Sequence, residues 1–222
     1  MTCVKICGIT NVPDAQFACE SAADAIGLNF YPQSRRGISI ATAVEICNQL
    51  PVDVQAVGVF VNTSPAEIIE ICKAVRLDAV QLHGDEQPDI VDELARVVTV
   101  FKAFRIGSDF SLSSLEDYPA ARAFLFDAPD SASGQFGGTG RRTDWNLAQQ
   151  AARTHRIILA GGLNEKNVAE AIRQVRPYAV DVASGIESVP GVKDHQRLQK
   201  FILAVRQADQ EIEMPTEKLR TT

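Results

Sequence analysis

The 222-residue chain has no basic excess: 22 Lys+Arg stand against 28 Asp+Glu, for a net charge of −6. Nucleic acid is therefore excluded as the main partner, because neutralising phosphates needs clustered cations. No apolar run approaches the ~20 residues that span a bilayer, and a membrane partner is not expected. The five cysteines, at 3, 7, 19, 47 and 72, are an odd number with no CxxC spacing. That pattern excludes both a disulfide framework and a cysteine metal site. The first residues, Met1-Thr2-Cys3-Val4-Lys5, lack the charged-then-apolar layout of a signal peptide, so a cytoplasmic protein is expected. Also missing is a GxGxxG after the first strand. Cys7-Gly8-Ile9-Thr10 stands there instead, which argues against a dinucleotide fold.

What is present is a rhythm. Short β-branched runs recur at Cys3–Cys7, Ala25–Phe30, Val54–Phe60, Ala79–His83, Val98–Phe104, Ala123–Asp127, Ile157–Gly161 and Ala179–Ala183. Amphipathic segments lie between them. Pro65–Val75 carries Ile68, Ile69, Ile71 and Cys72, and Val168–Val175 carries Val168, Ala171, Ile172 and Val175. These spacings of three and four give a helix one buried face. Ser64 before Pro65, Asn164 and Asp194 are expected N-caps. Eight strand–helix units of roughly 26 residues predict an α/β protein, a single-domain (β/α)8 TIM barrel. A doubly wound open sheet shares the alternation but more often has five or six strands. The barrel is expected over residues 1–208, and the polar stretch 209–222, with Pro215, as a loose tail.

Strand parity sorts the side chains, since alternate residues face the helices or the barrel interior. Val4 and Ile6, Val80 and Leu82, Phe124 and Phe126, and Val180 and Val182 suit the helix side. Their neighbours Cys7, Gln81, His83, Asp127 and Asp181 then point inward, as do Lys5 and, by expectation, Lys102. Parallel strands buried on both faces should be nearly all apolar. These polar exceptions gather at strand C-terminal ends, where barrel enzymes keep their chemistry.

Three glycine-bearing turns follow late strands: Gly137-Gly138-Thr139-Gly140, Gly161-Gly162-Leu163-Asn164 and Ser184-Gly185-Ile186-Glu187. Glycine lets backbone N–H groups approach an anion, and the loops after strands seven and eight of a barrel commonly hold phosphate. A GG pair is otherwise only a turn. The connection from Ala128 to Asp144 is long enough for a lid or binding loop.

Cys7 reads either as a small buried hydrophobe or, with Lys5 two residues back, as a reactive thiolate. Asp127 ends an apolar run, and a carboxylate there is costly unless used or paired. Together they would make an acid/base couple on two sides of one bound sugar. His83 serves equally as a satisfied barrel histidine, and Arg36 either faces solvent or clamps a carboxylate. His155 and His195 sit at the wrong end or side of the barrel, and Cys19, Cys47 and Cys72 fall on helical apolar faces. No HxH or HxxxH spacing supports a metal.

The segments Lys5-Ile6-Cys7-Gly8-Ile9, Gly27 to Arg36, Val57 to Asn62, Val80 to Glu86, Phe126-Asp127 with Gly137 to Gly140, Leu159 to Leu163 and Asp181 to Glu187 run in order over most of the chain. In these the chain resembles the phosphoribosylanthranilate isomerase family of tryptophan biosynthesis. The resemblance implies an Amadori rearrangement of a phosphoribosylated anthranilate without metal or cofactor. It implies Asp127 as general acid on the furanose oxygen and Cys7 as general base at C2′. It also implies Arg36 at the anthranilate carboxylate, Asp181 near the sugar hydroxyls, and Gly161, Gly162, Ser184 and Gly185 around the phosphate. Strand parity adds Gln81 and His83 to the substrate residues, and the glycine turn after strand six adds Gly138 to the phosphate residues. A monomer or homodimer is expected. Thr143 departs from the family pattern, which has an aromatic residue there. The rivals are an indole-glycerol-phosphate synthase-like barrel, an epimerase-like barrel, and a non-catalytic phosphosugar-binding barrel. The synthase-like reading requires inward lysines, here Lys5 and Lys102.

Overall fold

Strand–helix alternation closes on itself here. A computed structural model describes residues 1–107, 109–128 and 143–213. Parallel strands β1 (Cys3–Cys7), β2 (Ala25–Asn29), β3 (Gln55–Phe60), β4 (Ala79–Leu82), β5 (Thr99–Arg105), β6 (Ala123–Asp127), β7 (Ile157–Leu159) and β8 (Ala179–Val182) form a closed barrel in sequence order. The seam pairs β1 with β8, with Lys5 opposite Asp181. Helices α1 (Val12–Glu20), α2 (Ile40–Cys47), α3 (Pro65–Val75), α4 (Pro88–Ala95), α5 (Trp145–Ala151), α6 (Val168–Val175) and α7 (His195–Glu213) complete the described helical layer. None of the described helices is long and apolar enough to cross a membrane.

Parity works as the pleat requires. Val4, Ile6, Val80, Leu82, Phe124, Phe126, Val180 and Val182 join the large core between barrel and helices. A smaller core fills the barrel with Val57, Ala79, Phe101, Ala103, Ala123, Leu125 and Ile158. Lys102 departs from expectation. Its neighbours Phe101 and Ala103 point inward, so Lys102 shares the helix-facing side with Val100. There it donates to Glu86 Oε2 at 2.9 Å and to the Gly84 carbonyl at 2.8 Å. Glu86 in turn accepts from Asn62 N and Gly84 N. This buried knot ties together the loops after β3 and β4.

Two units deviate from strand-then-helix. After β5 the described chain forms a 3-10 turn, Leu112–Leu115, capped by Ser111. Serines compete with helical backbone bonds, and the outer faces of β5 and β6 are covered by aromatic contacts of Phe104 with Tyr118 and Phe110 with Phe126. After β8 come a 3-10 turn, Ser184–Ile186, and a small antiparallel pair, β9 (Glu187–Val189) and β10 (Val192–Lys193). Ser64 and Asp194 cap α3 and α7, accepting from Glu67 N and Arg197 N. Asn164 does not cap α6. Its Oδ1 accepts from Lys166 N in the preceding turn, and the helix starts after Asn167. The polar stretch from Asp209 begins inside α7, where Asp209 accepts from Thr2 N and Thr2 Oγ1 at 2.7 and 2.6 Å.

Candidate active site

The barrel mouth is organised around Lys5. A lysine placed inside a barrel needs an anion beside it, because an ammonium leaving water loses several kcal/mol of hydration. Asp181, across the β1–β8 seam, provides it at 2.8 Å. Burial works against the Lys5 charge, but Asp181 and the Cys7 sulfur outweigh it and hold Lys5 above the usual lysine range. The same ammonium donates to Gln81 Oε1 at 2.9 Å. Gln81 Nε2 meets His83 Nδ1 at 2.8 Å, and His83 Nε2 faces Asp127 Oδ2 at 3.4 Å. Asp127 Oδ1 accepts from Ala128 N at 2.8 Å. Strands β1, β4, β6 and β8 thus contribute one connected polar row.

Cys7 sits at the end of β1, opposite Gly27. A Cβ on Gly27 would lie 2.7 Å from Cys7 Sγ and 3.1 Å from Lys5 Nζ, so glycine is required for both groups to fit. Burial, then the Asp181 charge, push the Cys7 thiol up, while Lys5 and Lys193 pull it down. The net direction is up, so the expected shift to thiolate does not follow from Lys5 alone. Desolvation outweighs the neighbouring cations.

Arg36 is held from behind. Its Nε and Nη2 donate to the two oxygens of Glu187 at 2.8 and 2.6 Å, and Lys193 donates to the same carboxylate at 2.9 Å. Lys193 also donates to the Cys7 carbonyl at 2.6 Å, tying the β9–β10 hairpin to β1. Arg36 lies over Gly8, whose φ is +71° and whose missing Cβ leaves space for the arginine stem. Cys7, Arg36, Gln81, His83, Asp127 and Asp181 line one cavity.

A second cavity adjoins it, lined by Gly161, Gly162, Ser184 and Gly185 together with Asp127 and Asp181. Gly161 and Gly162 have φ of +80° and +66°, a left-handed conformation that favours glycine. At Gly185 a Cβ would overlap the Leu163 carbonyl oxygen, so the loops after β7 and β8 meet backbone to backbone. Thr143 Oγ1 donates to the Ala160 carbonyl at 2.7 Å beside this loop. Gly138 and most of the long loop after β6 lie outside the described residues.

His155 and His195 stay away from this site. His195 bonds Asp14 and stacks on Phe17, and His155 lies near Glu116. Cys19, Cys47 and Cys72 are half-buried against the helical core. Sequence reasoning missed Glu187 and Lys193 as supports for Arg36. Glu187 closes a glycine turn just after β8, a visible signal. Lys193 had none, because its approach depends on the hairpin.

The chain is similar to known proteins over nearly all of its length. The family model for N-(5'phosphoribosyl)anthranilate (PRA) isomerase matches residues 4–204. The N-(5'-phosphoribosyl)anthranilate isomerase of Trichlorobacter lovleyi is 49% identical over 207 residues, covering 92% of this chain and 98% of that protein. That of Thermotoga maritima is 43% identical over 203 residues, covering 91% and 97%. The crystal structure of the Thermotoga maritima enzyme superposes with a TM-score of 0.87 at 42% identity, covering 93% of this chain and all of that one. A phosphoribosyl anthranilate isomerase crystallised with reduced 1-(o-carboxyphenylamino)-1-deoxyribulose 5-phosphate superposes with a TM-score of 0.83 at 40% identity, with the same coverage. The chain belongs to the N-(5'-phosphoribosyl)anthranilate isomerase family.

Proposed function

We propose that this chain isomerises N-(5-phospho-β-D-ribosyl)anthranilate to 1-(2-carboxyphenylamino)-1-deoxy-D-ribulose 5-phosphate, a step of tryptophan biosynthesis, with Asp127 as general acid and Cys7 as general base. The observation that carries this reading is that both residues end strands on one cavity rim, beside the glycine loops that suit a phosphate. Asp127 gives its proton to the furanose ring oxygen, the C1′–O bond breaks, and the anilino nitrogen supplies electrons to form a Schiff base cation. Cys7 takes the C2′ proton, and the C–H electrons form the C1′–C2′ double bond of an enolamine, which tautomerises to the ketone.

The order matters electrostatically. Buried Cys7 favours the thiol in the free protein, whereas a cation formed within the same cavity favours the thiolate, the thiol proton passing to solvent before Cys7 accepts the C2′ proton. The acid step therefore prepares the base step. Glu187 occupies the Nε side of Arg36, leaving the Nη1 hydrogens for the anthranilate carboxylate. Asp181, bonded to Lys5 through Oδ1, retains Oδ2 for a sugar hydroxyl. A synthase-like reading loses support because Lys102 faces the helices.

The test is direct. Purified protein given substrate generated in situ should consume the fluorescent N-ribosylated anthranilate without added metal or cofactor. Absence of turnover would overturn the assignment.

A further inference from the structure

A neutral histidine has one donor and one acceptor nitrogen, and its neighbours choose which is which. At His83 the choice is made by Lys5, two links away. An ammonium cannot accept, so the Gln81 atom 2.9 Å from Lys5 Nζ is the amide oxygen. The amide NH2 then faces His83 Nδ1 at 2.8 Å. That NH2 has nothing to accept with, so Nδ1 accepts and the ring proton belongs on Nε2. Nε2 is buried and lacks a hydrogen-bond partner among the described residues, facing Asp127 Oδ2 at 3.4 Å.

The other oxygen of Asp127 is already bonded to Ala128 N. The inferred Nε2–H is thus placed beside the carboxyl oxygen that does not bond Ala128 N, and an N–H···O bond to a charged oxygen is stronger than one to a neutral oxygen. We propose that Lys5 and Gln81 are positioning residues that lock His83 as the Nε2–H tautomer, making it a fixed donor that closes on Asp127 as the carboxyl loses its proton. His83 keeps its own proton throughout, while the proton leaving Asp127 goes to the ring oxygen. The second half rests on the isomerase reading, and the tautomer half on geometry alone.

Nitrogen-15 NMR of histidine-labelled protein tests the lock, since the chain has three histidines and His83→Gln identifies the resonance. The expected signature is an unprotonated Nδ1 and a protonated Nε2. A protonated Nδ1, or an even mixture, would overturn the lock. Gln81→Glu replaces the amide donor by an acceptor, so the ring should move a proton onto Nδ1, and an unchanged tautomer would likewise overturn it. If that variant fails to fold, the wild-type spectrum still decides.

In kinetics, Gln81→Glu should lower kcat about tenfold or more with KM moving less. His83→Gln, which restores an N–H donor near Nε2, should retain roughly tenfold more activity than His83→Ala. Equal losses in those two variants would overturn the donor role. Should the wild-type spectrum match while the protein turns over no substrate, the functional assignment fails and the lock stands.

Discussion

Arg36 lies side-on against Glu187, with Nε–Oε1 at 2.8 Å and Nη2–Oε2 at 2.6 Å. Lys193 joins the same carboxylate at 2.9 Å. Two cations thus share one anion beside the cavity, leaving Arg36 with donors that Glu187 does not use. A planar fork held along one edge presents its remaining donors in a fixed direction.

Arg36→Ala should therefore raise KM by about 10- to 100-fold, the worth of a charge-assisted hydrogen bond, with a smaller effect on kcat. Arg36→Lys should resemble the alanine variant, because an ammonium cannot bridge Glu187 and a carboxylate together. Steady-state kinetics across substrate concentration separates these outcomes, and an unchanged KM would assign the carboxylate to another residue.

Glu187 carries a pH signature. Burial works to raise its pKa, but Arg36 and Lys193 win and hold it below the usual glutamate range. A carboxyl depressed on folding adds stability above its unfolded pKa, near 4.5, and loses that contribution as pH falls through the folded value. Urea midpoints of wild type and Glu187→Gln should converge as pH falls below about 4.5. A constant gap would contradict the linkage.

Cys7→Ala and Asp127→Asn should each lower kcat by at least ~100-fold while leaving substrate binding largely intact. Single-turnover and binding measurements together check this. Near-normal turnover in the cysteine variant would make Cys7 a packing residue.

The Cys7 thiol is pushed up by burial and by Asp181, and the thiolate is the reactive form. Its alkylation, followed on the Cys7 peptide by mass spectrometry, should accelerate about tenfold per pH unit from pH 7 to pH 9 without a plateau. A plateau below pH 8 would mean that the neighbouring lysines outweigh desolvation.

Lys102→Ala should destabilise the protein by about 3–5 kcal/mol, because it strands the buried Glu86 charge. Lys102 and Glu86 side chains are 3% and 2% exposed, so solvent cannot compensate. Denaturant unfolding measures the loss, and a change under about 1 kcal/mol would show that the backbone donors Asn62 N and Gly84 N suffice for Glu86.

The barrel was legible because its constraints are local and repeated. Val4 and Ile6 against Cys7, or Phe124 and Phe126 against Asp127, follow from the two-residue period of a strand. The same parity placed Gln81, His83 and Asp181 at the mouth, and the glycine pairs marked the turns after β7 and β8. Lys102 was misplaced because a strand of mixed apolar residues, Val98 to Phe104, offers no parity contrast. The helix expected after β5 gave way to a serine-capped turn covered by aromatic packing.

By itself the amino-acid order determined which runs form strands, with ends correct to within two residues, which strand-end residues are polar, and where backbone must bend without a side chain. Those features arise from pleat, turn chemistry and the cost of burying charge, all readable within a few neighbours. Only the tertiary structure decided that Glu187 and Lys193 brace Arg36 and that Lys5 reaches Gln81 from β1. It also decided that burial outweighs nearby cations at Cys7. Each depends on barrel closure bringing residues 76 to 186 positions apart within bonding distance, and on water being excluded there. No local pattern encodes that proximity.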